Sequence, residues 1–173
     1  MEARERQNRQ NGYVIEDAGA LVASFREVAV RAGLTAVAPI LRHELTPAPH
    51  LPPRALPSAA VYVFTLSAEY GRTCPAGANR TLKVGKVGPN SAARFCSQHY
   101  LPNSTGSNLA KSLVTERVLW SFLGIDHLDE SGVRSWMLAN LDRDHVFVAP
   151  ENRGLERELE RFLRGHLGPV FEG

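Results

Sequence analysis

Two cysteines in 173 residues are too few for the disulfide framework of a secreted scaffold, and Cys74 and Cys96 belong to no CxxC pair. Two reduced thiols are the expectation. Long apolar runs are also missing, since none approaches the roughly 18 residues that cross a bilayer. The opening residues, MEARERQNRQNG, are charged and polar where a signal peptide is apolar, which predicts a cytoplasmic protein. No GxSxG elbow is present, which argues against a Ser-His-Asp hydrolase of that type, and no internal repeat points to a solenoid. A net charge of +2 is too small to indicate a nucleic-acid partner by itself. Hydrophobic residues make up 43% and charged residues 22%, which excludes both a disordered chain and a membrane-embedded one. The length suits one packed domain with an appended segment.

What is present is patterned. Ala18, Leu21, Val22, Phe25, Val28 and Ala29 recur at helical spacing, predicting an amphipathic helix over 15–32. A shorter apolar stretch, 35–45, reads as a second helical piece. Pro47, Pro49, Pro52, Pro53 and Pro57 then crowd 46–58; prolines neither continue a helix nor enter a central strand, so an extended connector is expected. Residues 1–57 thus read as a helical extension with a proline-rich connector, lacking any catalytic group, and 58–173 as the main domain.

In that domain, AAVYVFTL (59–66) and TLKVGKV (81–87) have the β-branched and aromatic content of strands and should pair as a hairpin across the long loop 67–80. Asn90 or Ser91 can cap a helix running to Tyr100. Leu109, Leu113, Val114, Trp120 and Leu123 predict a helix over 107–123, ended by Gly124. A short strand follows at 145–149, and Leu155, Leu159, Phe162, Leu163 and His166 trace a last helix from Asn152, stopped by Gly168-Pro169. Asp142, Asp144 and His145 read as part of the turn before the strand. The expected order after the extension is β-β-α-α-β-α.

Ala60-Val61-Tyr62, Lys83-Val84-Gly85-Lys86, Arg94-Phe95 and Leu159-Glu160-Arg161-Phe162-Leu163 with Pro169 together resemble, in this order, the motifs of the GIY-YIG nuclease family over about two thirds of the chain. The resemblance implies an α/β fold: a small antiparallel sheet flanked by helices, here with an N-terminal helical extension. It implies a metal-dependent endonuclease that hydrolyses nucleic-acid phosphodiesters, with DNA the expected substrate. Tyr62, Lys86, Arg94, Glu160 and His99 take the catalytic positions, Lys83 and Gly85 the phosphate-binding ones, and Glu160 the metal, Mg²⁺ (or Mn²⁺). The chain departs from the pattern at Ala60, where the family has Gly, at Lys83, where it has a second Tyr, in a longer hairpin loop, and after Pro169, where Phe171-Glu172-Gly173 replace an Asn. Related nucleases also carry a His or Tyr one turn after the Arg, a position held here by Gln98, with His99 one residue further on.

The chemistry explains the grouping. Phosphodiester hydrolysis needs a deprotonated water, neutralised phosphoryl oxygens and a stabilised leaving oxygen. Tyr62 could accept the proton where Lys83, Lys86 and Arg94 pull its pKa down from about 10; as a plain strand aromatic it would only pack. Gly85 lets backbone approach a phosphate, or simply allows tight packing. Arg94 offers a planar fork to phosphoryl oxygens. Glu160 suits Mg²⁺, which binds carboxylate oxygen and keeps several waters, while Glu156, one turn earlier, can share its face and Glu158 points elsewhere. The alternative is a non-catalytic nucleic-acid-binding or interaction module that keeps the basic residues without turnover.

Overall fold

A computed structural model describes residues 17–53, 59–88, 97–105 and 108–171. In chain order these form α1 (Ala18–Arg31), β1 (Leu41–Thr46), β2 (Ala60–Leu66), α2 (Ala68–Gly71), β3 (Thr81–Val87), α3 (Leu109–Thr115), α4 (Trp120–Leu123), α5 (Val133–Asn140), β4 (Leu141–Val148) and α6 (Glu156–Leu167). The four strands make one antiparallel sheet in the order β1-β4-β2-β3. The fold is therefore mixed α/β, a small antiparallel sheet with helices on both faces.

Alternation along the strands sorts side chains between two cores. Val61, Val63, Val84, Val146 and Val148 pack against Leu21, Val22, Phe25 and Ala29 of α1 and Leu159 and Leu163 of α6. Ala60, Tyr62, Phe64, Leu66 and Phe147 face the other way, onto Tyr100 and the buried side chains of α3, α4 and α5. The apolar stripe expected in α1 is the stripe that is buried, and Asp17 starts the helix by accepting the Gly19 N–H at 3.0 Å. Phe25 and Phe162 meet at 5.4 Å, which locks α1 to α6 above the sheet.

Several expectations are corrected. The stretch 35–45 is not helical: it ends in β1, whose residues pair with β4 from Leu41 opposite Val148 to Thr46 opposite Arg143. A helical pattern and a half-buried edge strand look alike when the run is this short. The boundary placed near Pro57 falls between two strands of one sheet. Asp142, Asp144 and His145 lie within β4, which begins at Leu141. The helix expected over 107–123 breaks at Glu116, whose ψ of 55° is not helical, and a 3₁₀ turn (Arg117–Leu119) leads into α4. Trp120 Nε1 donates to Leu113 O at 2.8 Å across the break. Gly124 does adopt the left-handed conformation, with φ 70°, and Gly168 closes α6 at φ 50°. The long hairpin β2–β3 pairs as expected, with an irregularity between Phe64 and Thr65. α2 and α5 lie outside the expected order. Of the helix expected up to Tyr100, only a 3₁₀ turn, Gln98–Tyr100, falls among the described residues.

Candidate functional site

The register places Gly85, Tyr62, His145 and Glu44 in one row across β3, β2, β4 and β1, all pointing to the α3–α5 face. The neighbouring row carries Lys83, Phe64 and Arg143. Tyr62 is 5% exposed and His99 2% exposed, and their rings meet at a tilt of 57° with centroids 4.2 Å apart. Lys83 is buried as well, with Nζ donating to Asn108 Oδ1 at 3.1 Å. Arg143 donates to the Tyr100 hydroxyl at 2.5 Å. Four of the expected site residues, Tyr62, Lys83, Gly85 and His99, are thereby gathered on one side of the sheet.

Lys86 and Glu160 belong to the other side. Lys86 stands opposite Val61, and Glu160 is on α6, where Leu159 and Leu163 pack on the valine face. Glu160 is mostly buried and its Oε1 accepts from Arg164 Nη2 at 3.0 Å; the same nitrogen lies 3.4 Å from Val84 O. Glu156, one turn earlier, accepts the Gly154 N–H at 2.7 Å, and Glu158 pairs with Arg161 at 3.5 Å. Arg94 lies outside the described residues. Among the described residues no group of three or more His, Cys, Asp or Glu side chains is placed to hold a metal ion.

β3 is an edge strand, so its rim borders both faces of the sheet. Tyr62 lies across Gly85: a Cβ built there would sit 3.0 Å from Tyr62 Cε2 and closer still to the hydroxyl. The glycine therefore leaves a passage for the phenol toward the rim that Arg164 approaches from below. Gly85→Ala is expected to cost about 1–3 kcal/mol by overpacking, read as a lowered Tm. The cost should shrink in a Tyr62→Leu background, and equal losses in both backgrounds would show that the clash is not with the phenol.

Arg143 and His145 are site neighbours missed in the sequence. The signal was the period-two pattern Leu141, Arg143, His145, Phe147, hidden because half its members are polar. On the opposite face of β4, Asp144 Oδ1 accepts from His43 Nε2 at 2.6 Å. That hydrogen bond, reinforced by the charges of Asp144 and Asp17 and opposed by burial, raises the His43 pKa above its ordinary 6.5. A raised folded value means stability that is fully present below about pH 6.5 and is lost as pH rises through the folded pKa. His43→Gln should flatten that alkaline-side loss in urea unfolding measured between pH 6 and 9; an unchanged profile would remove His43 as its source.

No family model, no curated protein and no solved structure matches this chain. The nuclease resemblance rests on the motif residues of the sequence alone.

Proposed function

We propose that the chain is a metal-dependent endonuclease of the GIY-YIG type, acting on DNA at the outer rim of β3. The observation that supports this reading is the phenol of Tyr62 lying over Gly85 on an edge strand, flanked by Lys83 and His99 on one side and by Lys86, Arg164 and Glu160 on the other. At such a rim a phosphate meets cations from both faces without crossing the sheet. Tyr62 would take the proton of the attacking water. Lys86 and Arg94 would neutralise the phosphoryl oxygens, and Lys83 and His99 would hold the tyrosine in place.

The donor set fits a metal completed by substrate rather than a preformed cage. Glu160 spends one oxygen on Arg164 and keeps the other, and Mg²⁺ commonly takes one protein carboxylate with waters and phosphate. Such an ion would supply charge neutralisation and a Lewis acid for the leaving oxygen. The burial of Tyr62 and the Lys83–Asn108 bond favour the second reading, a non-catalytic nucleic-acid-binding or interaction module in which these side chains only pack. Supercoiled plasmid incubated with the chain, with and without Mg²⁺, separates the two. Metal-dependent nicking supports the enzyme, salt-sensitive binding without nicking supports the module, and the absence of both removes a nucleic-acid function.

A further inference from the structure

β1 is the second edge of the sheet, at the opposite end from β3. Its inner side is spent on β4 and the turn after it: Ile40 O accepts from Ala149 N–H at 3.2 Å, and Ile40 N–H donates to Asn152 Oδ1 at 2.8 Å. In an antiparallel strand the N–H and C=O of one residue point the same way, and the direction alternates along the chain. Arg42, Glu44 and Thr46 therefore share the inner direction of Ile40, and Leu41, His43 and Leu45 present their backbone groups outward. One contact checks this parity: Leu41 O accepts from Arg26 Nη2 of α1 at 2.5 Å. Among the described residues no other hydrogen bond reaches the backbone of the outward row from beyond the sheet.

An open edge is a template for another strand, and natural edges are commonly blunted by proline, a bulge or a lysine. β1 uses none of these: LRHELT pairs with β4 without a register shift. It carries instead a base and an acid two residues apart, Arg42 and Glu44, both exposed and both on the α3–α5 face, where they pair with each other. Ile40 and Leu45, at the two ends of the strand, are 60% and 56% exposed.

We infer that β1 pairs with β1 of a second copy of this chain, antiparallel about a two-fold axis at His43, so that two four-stranded sheets become one. Hydrogen-bonded pairs must join outward residues, so only Leu41, His43 and Leu45 of the two copies can stand opposite one another in such pairs. Charge then selects the register. With Leu41 opposite His43 the two Arg42 side chains face each other, and with His43 opposite Leu45 the two Glu44 side chains do; like charges directly opposite are destabilising. Larger shifts shorten the overlap. With His43 on the axis, Arg42 of each copy faces Glu44 of the other, and symmetry makes the pair twice. These are non-hydrogen-bonded positions, where opposed side chains come closest. The same register sets the exposed Leu45 opposite Leu41, a core residue. Each His43 is hydrogen-bonded to its own Asp144, so the axis brings together two neutralised pairs and not two bare cations. Arg26 need not leave, because the carbonyl oxygen of Leu41 has a second lone pair. The pairing is independent of the nuclease reading, and it leaves both β3 rims at the outer ends of the joined sheet.

Sedimentation equilibrium of the full chain across the micromolar range is expected to show a mass that rises from monomer to dimer and stops, since a two-fold interface closes on itself. Glu44→Arg puts arginine opposite arginine at both pairs and should weaken dimerisation about tenfold or more, as should Arg42→Glu with the opposite sign. The double exchange, Arg42→Glu with Glu44→Arg, again opposes unlike charges and should bring the dissociation constant back to within about threefold of the unsubstituted chain. Leu45→Pro removes an outward N–H that the monomer offers only to water, so Tm should hold while the dimer is lost. If Leu45→Pro does not fold, the charge exchange decides alone. A monomer at every concentration, a mass beyond the dimer, a dimer indifferent to the single charge changes, or a double exchange that stays monomeric would each overturn the assignment.

Discussion

Tyr62→Phe is expected to bind duplex DNA as the unsubstituted chain does and to nick it about 10²–10⁴-fold more slowly, the range for loss of a positioned proton acceptor. The ring contacts that hold Tyr62, with His99 at 4.2 Å and Phe64 at 5.8 Å, belong to the aromatic body and survive the change, so the fold should survive too. Only the oxygen lying over Gly85 is removed. Glu160→Gln makes a complementary case: an amide oxygen can still accept from Arg164, but the anionic ligand is gone, so Mg²⁺-dependent cleavage should fall while DNA binding persists. Lys86→Gln should act on binding instead, lowering the salt dependence of affinity by about one counterion. Binding and plasmid nicking measured on the same samples decide the matter. Undiminished nicking by Tyr62→Phe would remove it as the base, and undiminished nicking by Glu160→Gln at ordinary Mg²⁺ would remove the metal site.

The parts of this fold that were legible in sequence are those where one periodicity runs unbroken against one core. The buried stripe of α1, the β2–β3 hairpin and the Leu159/Leu163 face of α6 are of that kind. β1 was not legible because His43 and Glu44 interrupt its apolar residues and its partner, β4, lies about a hundred residues away. β4 was shortened for a related reason: Asp142, Arg143, Asp144 and His145 look like a polar turn until their partners are known. In the structure Asp144 is satisfied by His43 and Arg143 meets Tyr100, contacts that no local pattern announces. For the site, residue types were readable and faces were not. Strand alternation alone puts Tyr62 and Gly85 together, since they pair directly, whereas the side of the sheet taken by Glu160 depends on how α6 docks.

The chain should lose stability steeply in mild acid, at about 1.4 kcal/mol per pH unit below about 6.5, through His145. This residue is buried in β4 beside Tyr62 and opposite Glu44, and its ring lies 5.8 Å from Phe147. Burial, first, and then the charges of Arg143, His99, His50 and His43 push its pKa from the ordinary 6.5 down to about 2. The folded chain therefore leaves the imidazole neutral over that whole window while the unfolded chain protonates it. Since the unfolded state binds more protons, stability is fully present above about pH 6.5 and declines as pH falls toward 2. His50, lowered chiefly by burial and also by Arg143, adds in the same direction, whereas the contribution of His43 is already complete below 6.5 and adds no slope. Keeping the measurement at or above pH 5.5 leaves ordinary carboxylates almost fully ionised. Urea unfolding at pH 6.5 and pH 5.5 should differ by about 1 kcal/mol through His145 in the unsubstituted chain, and by much less in His145→Asn, which cannot take up the proton. If His145→Asn folds and keeps the full acid slope, the proton is taken up elsewhere; if it does not fold, imidazole resonances of the unsubstituted chain decide instead, and a His145 signal titrating near pH 6.5 in the folded state would refute the account.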